Sequence, residues 1–546
     1  MINLETELAP RRILIVDDMV EARSSLKKMM TVLGAENIDT AVDGNEAMLK
    51  IHERDYDMVL SDYNLGKGRD GQQILEEARY TQRLKATALF IMLTGENAVD
   101  MVMGALEYDP DAYITKPFTL NMLRERLARI LNIKAQLLEI NRAIDEKRNN
   151  DAIRAAEQLL QKDHKLIMPL TRILGRLYMH QHRYNDAIRV YSNLLNIRSV
   201  SWARLGQAIC LHHLGDSHSA LSQLKQTLSK HPLYVQCYDW LSRIMLELGH
   251  PQEAQQFLQK AVDISPKAVL RQMELGKQAA NNEDFEVAEQ AFEAAVKLGR
   301  YSCYKNSDNY LQFAKAVQGK IKANGGRDSR LRADKVMRYV EELRQDYANH
   351  AGVMFDTSII EGTTFDRLGD KEKSRKSVNH AEEVLEKIEN PSVDQQLKMT
   401  EAFINTDQHV KAKKLLKTIK DQEIGEESVQ KEWDRLQETL NQIKVRQYTT
   451  ELNARGVGYF EKGLLEQAVE AFDEAVDFEE AGISVMLNAI QAKLAYMEEH
   501  EVKVSYLKDC HALFKRIGAI GDTDDRYHRH DRLKNTYLRL KRAAGL

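Results

Sequence analysis

Arg12-Ile13-Leu14-Ile15-Val16-Asp17-Asp18 decides how the beginning of this chain folds, because an uninterrupted apolar run ends there in two carboxylates. A run that short, apolar at consecutive rather than alternate positions, suits a strand buried on both faces. Four more runs follow. Asn37 to Val42 closes before Asp43-Gly44, and Tyr56-Asp57-Met58-Val59-Leu60-Ser61 leads into Asp62. Ala88 to Leu93 leads into Thr94-Gly95, and Asp111 to Thr115 leads into Lys116-Pro117. Segments of helical period lie between them, among them Glu21 to Leu33 and Asn97 to Leu106. The alternation predicts an α/β, doubly wound, five-stranded parallel sheet covered by helices on both faces.

In such a sheet ligands bind outside the carboxyl ends of the strands. Asp17, Asp18, Asp62, Thr94 and Lys116 all stand there, each directly after an apolar run. A single Asp at a strand end is usually only a solvated loop residue, whereas these five groups converge on one edge. Three carboxylates packed together repel and raise one another's pKa unless a cation joins them. Oxygen ligands favour a hard divalent cation that retains waters, which selects Mg2+ as the cofactor. Such an ion joins carboxylate to phosphoryl oxygens, and the lysine and hydroxyl neutralise the remaining phosphoryl charge.

The pieces Ile15-Val16-Asp17-Asp18, Leu60-Ser61-Asp62-Tyr63-Asn64, Asp70-Gly71, Leu93-Thr94-Gly95-Glu96 and Ala112-Tyr113-Ile114-Thr115-Lys116-Pro117-Phe118 resemble the receiver family of two-component response regulators. The likeness is greatest to its single-domain chemotaxis branch and covers residues 11 to 131. It implies a flavodoxin-like receiver in which Asp62 accepts a phosphoryl group from a sensor histidine kinase. It further implies that Asp62, Asp18 and the backbone carbonyl of Asn64 ligate Mg2+, with Asp17 acting through water. Lys116 would contact the acyl phosphate, next to a cis bond to Pro117, and Thr94 and Tyr113 would form the switch pair. Asn64 and Glu96 occupy positions that in receivers influence the attacking water, so a short-lived phosphoryl state is expected. Two stretches depart from the family. Leu65-Gly66-Lys67-Gly68-Arg69 replaces a loop that usually contains proline, has one extra residue and is expected to be more flexible. Asp109-Pro110 stands where a glycine is usual. Neither touches the five chemical groups, so phosphoryl chemistry is expected to survive.

After Ile133 the strand signal nearly vanishes and a repeat takes over. Ala152, Ala187, Ala220, Ala254 and Ala288 follow one another at steps of 35, 33, 34 and 34 residues. Gly175, Tyr178, Tyr184, Tyr191 and Leu194 surround Ala187, and Gly276, Phe285, Phe292 and Ala295 surround Ala288. Pro232 and Pro266 hold the same place in consecutive units. These spacings resemble the tetratricopeptide repeat, in which small residues let two helices approach and large ones fill the gap. The pattern blurs between Tyr301 and Asp346, around Asn324-Gly325-Gly326. It resumes with Gly362, Gly369 and Ser374, then Ala412, and most clearly with Gly456, Tyr459, Gly463, Ala468, Phe472 and Ala475. The expected organisation is a leader (1–11), a receiver (12–132), tetratricopeptide-like repeats (133–300), an irregular helical connection (301–345) and a second all-α, solenoid-like array (346–546) ending in a capping helix.

Composition narrows the function. The 78 basic and 82 acidic side chains give a formal net charge of -4, which supplies no global attraction to nucleic acid or anionic membrane. The basic clusters at Arg327 to Arg338 and Arg526 to Arg542 lack a groove-reading element and read as solvated faces, as do His528 and His530. Four scattered cysteines suggest neither zinc nor disulfides, and with no apolar run of spanning length a cytoplasmic location is expected. The repeats contain no phosphate-cradling loop, zinc-ligand spacing or nucleophile elbow, so no enzyme activity is expected there. Their aromatic residues, including Trp202, Trp240, Tyr191 and Phe292, read as packing. The expected function is a response regulator with a protein-binding output, its partners a histidine kinase and proteins held by the repeats. The switch surface of the receiver's fourth and fifth helices and fifth strand would mask or free the repeats. The alternative is a phosphorelay inhibitor or phosphate sink, with DNA-binding transcriptional control ranking below both. Pairing of two copies through the receiver face, as a homodimer, stays open.

Overall fold

A computed structural model describes residues 3–66, 68–95, 110–321, 326–420, 427–478, 481–521 and 523–545. Five strands, β1 (Arg12–Val16), β2 (Asn37–Ala41), β3 (Met58–Asp62), β4 (Leu89–Gly95) and β5 (Ala112–Lys116), form one sheet in the order β2-β1-β3-β4-β5. Every neighbouring pair is parallel. The helices described around it are α1 (Leu4–Leu8), α2 (Val20–Val32), α3 (Gly44–Glu53), α4 (Gly71–Tyr80) and α5 (Leu120–Gln136). The expected helix Asn97 to Leu106 lies outside the described residues.

Alternate residues of each strand face opposite layers, which is why the apolar residues of the inner strands β1, β3 and β4 run on without alternation. Ile13 and Ile15 join Leu26, Met30, Leu123 and Leu127 in one buried layer. Leu14 and Val16 join Met48, Ile51, Ile74 and Leu75 in the other. Side-chain caps start several helices: Asp43 accepts from the N–H groups of Asn45 and Glu46, and Asp70 forms a capping box with Gln73. The stretch expected as a leader contains α1, whose Leu8 is fully buried in the first layer. The boundary expected after residue 132 falls inside α5, which continues to Gln136.

The remainder is helical among the described residues and divides, with the sheet domain, into two compact units, Met1–Gly369 and Asp370–Leu546. In the first unit the repeat supplies consecutive helix pairs, such as Ile167–His180 with Tyr184–Ile197, and Val269–Asn281 with Phe285–Gly299. Ala152, Ala187, Ala220, Ala254 and Ala288, the residues that set the period, are all 0 % exposed. Full enclosure of so small a side chain suits helices packed closely together. Helices Ser217–Lys230 and Pro251–Ile264 end two residues before Pro232 and Pro266, as a residue preceding proline disfavours continued helix.

Residues 301–345, expected as an irregular helical connection, carry two helices, Ser307–Lys320 followed by Gly326–Asp346. Phe313, Val317, Val336, Tyr339 and Val340 bury themselves with Ala288 and Phe292 of the preceding pair, so apolar packing continues where the repeat spacing fails. Helix Gly326–Asp346 has 21 residues, longer than a repeat helix, and this displaces the small residues from their period. The first compact unit extends through this stretch to Gly369. Asn324 and Gly325 of the expected break lie outside the described residues. Within the basic stretch there, Arg332 and Lys335 pair with the buried Glu289 at 3.0 and 2.8 Å, so these side chains brace two helices and are not merely solvated.

The second unit contains a 35-residue helix, Glu427–Glu461, paired with Leu465–Val476, and ends in Tyr527–Ala543. This last helix packs Tyr537 into the core with Phe514, Met497 and Leu507. His530 is buried, its ring edge-on to Phe514 at 5.3 Å, which corrects the expectation of a solvated histidine. Arg529 donates to Asn488 and Gln491, so this member of the basic cluster is also a packing residue.

Candidate functional site

The sheet register brings the strand-end residues to one edge. Asp17 follows β1, Asp62 ends β3, Thr94 is the penultimate residue of β4, and Lys116 ends β5. Asp17, Asp18 and Asp62 each offer a carboxylate oxygen within 4.8 Å of the others. Lys116 Nζ lies 2.8 Å from Asp17 Oδ2 and 3.0 Å from Asp62 Oδ2. Asp17 is buried, Asp62 partly so, and Asp18 exposed, which leaves the cluster accessible from Asp18's side. Burial pushes the Asp62 carboxyl above its ordinary pKa; Lys116 opposes this and the Asp17 charge adds to it. Burial works against the charged form of Lys116, but its bonds to the two carboxylates outweigh that and raise its pKa. One ammonium thus pairs with two of the three carboxylates, an arrangement with capacity for a further positive charge.

The donor set fits magnesium. Its oxygens are hard, close together and open on one side, so an ion held there keeps part of its water shell. The loop beyond Asp62 runs alongside Asp18: a side chain at Gly66 would begin 3.3 Å from Asp18 Oδ2, and its φ of +71° favours glycine there. Asn64, whose carbonyl is the further expected ligand, lies in this loop and is exposed. The loop is tied down at its far end, where the Tyr63 carbonyl accepts from the Gly71 N–H at 2.9 Å. Arg69 also reaches Glu77 at 2.9 Å, so the expected flexibility is checked on that side.

Thr94 is buried and pairs across the sheet with Thr115, while Tyr113 pairs with Met92. Residues two apart on a strand share a face, which places Thr94 and Tyr113 on the same side of neighbouring strands. The Lys116-Pro117 bond is cis. Glu96 lies outside the described residues. Two contributors were missed in the sequence. Arg23 donates to the Asp17 backbone carbonyl at 2.6 Å and ties the chain at this residue to α2. Gly71 is required sterically, since a side chain there would begin 2.2 Å from the Asp62 carbonyl oxygen. Its place in Asp70-Gly71 was legible as a motif, but its contact was not.

A sheet of this topology with an acidic cluster, a lysine and a hydroxyl at its carboxyl edge defines a receiver, and by residues 13–128, which match the response regulator receiver domain, the chain belongs to that family. Residues 235–267 match the tetratricopeptide repeat. The chain is therefore a two-component response regulator in which a receiver is joined to repeats of a protein-interaction type. Among its relatives is the chemotaxis protein CheY of Pseudomonas aeruginosa, 33% identical over 119 residues, which are 22% of this chain and 94% of that protein. CheY-3 of Vibrio cholerae is 34% identical over 119 residues, 22% of this chain and 90% of its own. A CheY-like receiver domain protein from Methanospirillum hungatei has a solved structure at 28% identity, covering 23% of this chain and 97% of that one with a TM-score of 0.21. The C-terminal part of a repeat protein from Cytophaga hutchinsonii covers 46% of this chain and 96% of its own at 14% identity, with a TM-score of 0.37. No helix among the described residues is long and apolar enough to cross a membrane.

Proposed function

We propose that this chain carries signals in a phosphorelay by accepting a phosphoryl group on Asp62 from a sensor histidine kinase, and that the modified receiver alters which proteins the repeats bind. The observation that carries this reading is the position of Asp62, 3.0 Å from Lys116 and grouped with Asp17 and Asp18. An Asp62 oxygen attacks phosphorus as the bond from phosphorus to the donor's imidazole nitrogen breaks, giving an acyl phosphate on Asp62. Lys116, already oriented by Asp17, pairs with the phosphoryl oxygens. Asp17 and Asp18, with Asp62 and the Asn64 carbonyl, would hold magnesium, which supplies the charge neutralisation that three carboxylates and a phosphoryl group require. Thr94 and Tyr113 serve as the switch pair, and Asn64 and Glu96 set how quickly water reverses the modification.

Phosphorylation shifts partner affinity only by its differential stabilisation of two states, typically about 1–3 kcal/mol, or roughly 5–150-fold. The test captures partners from native lysate on the full chain and on Asp62→Asn, each with and without beryllofluoride and Mg2+. Wild type is expected to change its retained proteins, or their affinity, on adding beryllofluoride, and Asp62→Asn is not. Identical capture in all four samples would reject phospho-control. If the only protein retained were a histidine kinase whose transfer to another receiver this chain suppressed, a phosphate sink would be the better description.

A further inference from the structure

The repeats hold the receiver by the segment that leaves Asp62. In the first unit, Lys267 places Nζ 3.7 Å from Asp70 Oδ2 and 5.7 Å from the centre of the Tyr63 ring. Gln73, on the first turn of α4, donates to the Leu298 carbonyl at 3.3 Å. At the far end of α4 the Tyr80 ring meets Tyr304 edge-on at 5.6 Å. Glu76, between them, is buried beside Cys303 and Tyr304. The contacts thus follow α4 along its length.

This helix has no slack relative to Asp62. The Gly71 N–H donates to the Tyr63 carbonyl at 2.9 Å, and the Tyr63 hydroxyl reaches Gln72 Oε1 at 3.2 Å. The closeness of Gly71 to the Asp62 carbonyl braces the start of α4 against the acceptor residue itself. A change in the backbone around Asp62 is therefore passed to α4, and a pull on α4 is passed back, because packed elements move as units. We propose that Lys267, Leu298 and Tyr304 form a receiver-binding surface on the repeats, and that this grip and the occupancy of Asp62 are coupled, each altering the equilibrium of the other. The inference rests on the reading of Asp62 as phosphoryl acceptor, and it assigns the communication to the loop after β3 and to α4.

Cys303 provides the reporter. It lies at the seam, half-buried, and burial, with Glu76 beside it, pushes its thiol up to about 11, so alkylation in the gripped state is slow. Cys210, Cys237 and Cys510 are buried and serve as references for an intact fold. Alkylation of each cysteine is followed by peptide mass spectrometry on the full chain, for wild type, Lys267→Glu and Lys267→Met, with and without beryllofluoride and Mg2+. Fluorine NMR reads beryllofluoride affinity on the same proteins. Both Lys267 variants are expected to speed Cys303 modification at least about fivefold with the reference cysteines unchanged, and beryllofluoride to change the wild-type rate by a similar factor. Linkage fixes the companion result. If beryllofluoride speeds Cys303 modification, the variants bind it more tightly; if it slows modification, they bind it more weakly. Bound beryllofluoride with equal affinity in all three proteins and an unchanged Cys303 rate would overturn the inference alone. Absence of bound beryllofluoride in wild type would remove the reading of Asp62 and the inference with it.

Discussion

Lys116→Met is expected to slow phosphoryl uptake from acetyl phosphate by about 10²–10³-fold, the usual cost of losing one preorganised charge-stabilising donor. The substitution keeps an unbranched side chain and deletes the ammonium that lies between Asp17 Oδ2 and Asp62 Oδ2 at 2.8 and 3.0 Å. Two groups are affected. The phosphoryl oxygens lose the cation that pairs with them as charge is transferred. The Asp62 carboxyl, whose pKa burial raises, also loses the neighbour that lowers it. Intact mass against time, at fixed acetyl phosphate and Mg2+, measures the rate. Uptake at the wild-type rate in a folded Lys116→Met protein would mean that this lysine does not serve the acceptor.

Two glycines of one helix should respond in opposite directions to the same substitution. A side chain at Gly456 would begin 2.6 Å from the Phe472 ring, which is buried in the facing helix. Gly456→Ala therefore forces apart a helix pair and should destabilise the second unit by about 1–3 kcal/mol. Gly458, two residues on in the same helix, has nothing within 4 Å of the added carbon. Gly458→Ala should stabilise by about 0.5–1 kcal/mol through the better helix propensity of alanine. Urea unfolding of the two variants tests this, and Phe472→Leu should recover part of the loss caused by Gly456→Ala. Equal responses would show that the glycine in the repeat pattern reflects local preference and not helix approach. The first unit uses the same device twice around one ring, as side chains at Gly175 and Gly206 would both collide with Tyr191.

These cases indicate how much was legible in the sequence. Strands buried on both faces must be apolar at every position, so Ile13 to Val16 announce a parallel sheet, and the strand-end rule then collects Asp17, Asp62, Thr94 and Lys116 without reference to coordinates. The alanine period was legible because close packing favours small side chains at a fixed spacing, and all five alanines are fully buried. The repeat blurs over 301–345 because its signal is spacing, while the packing there depends on apolar residues such as Phe313 and, on the longer helix Gly326–Asp346, Tyr339. The contacts of α4 were not legible at all. Gln72, Glu76 and Glu77 look like a solvated face and are buried at 4, 8 and 8 % exposure. Lys267, more than 190 residues from Asp70 in the chain, carries no pattern of its own. Local period reports which face of a helix is apolar; it does not report a polar face covered by a distant one.

The central claim is that Asp62 carries the phosphoryl group. Incubation of the full chain with acetyl phosphate and Mg2+, followed by intact mass and peptide mapping, tests it most directly. The account predicts a gain of one phosphoryl mass, located on the peptide containing Asp62, removed by hydroxylamine and absent from Asp62→Asn. No gain in the wild-type protein, or an equal gain in Asp62→Asn, would contradict it.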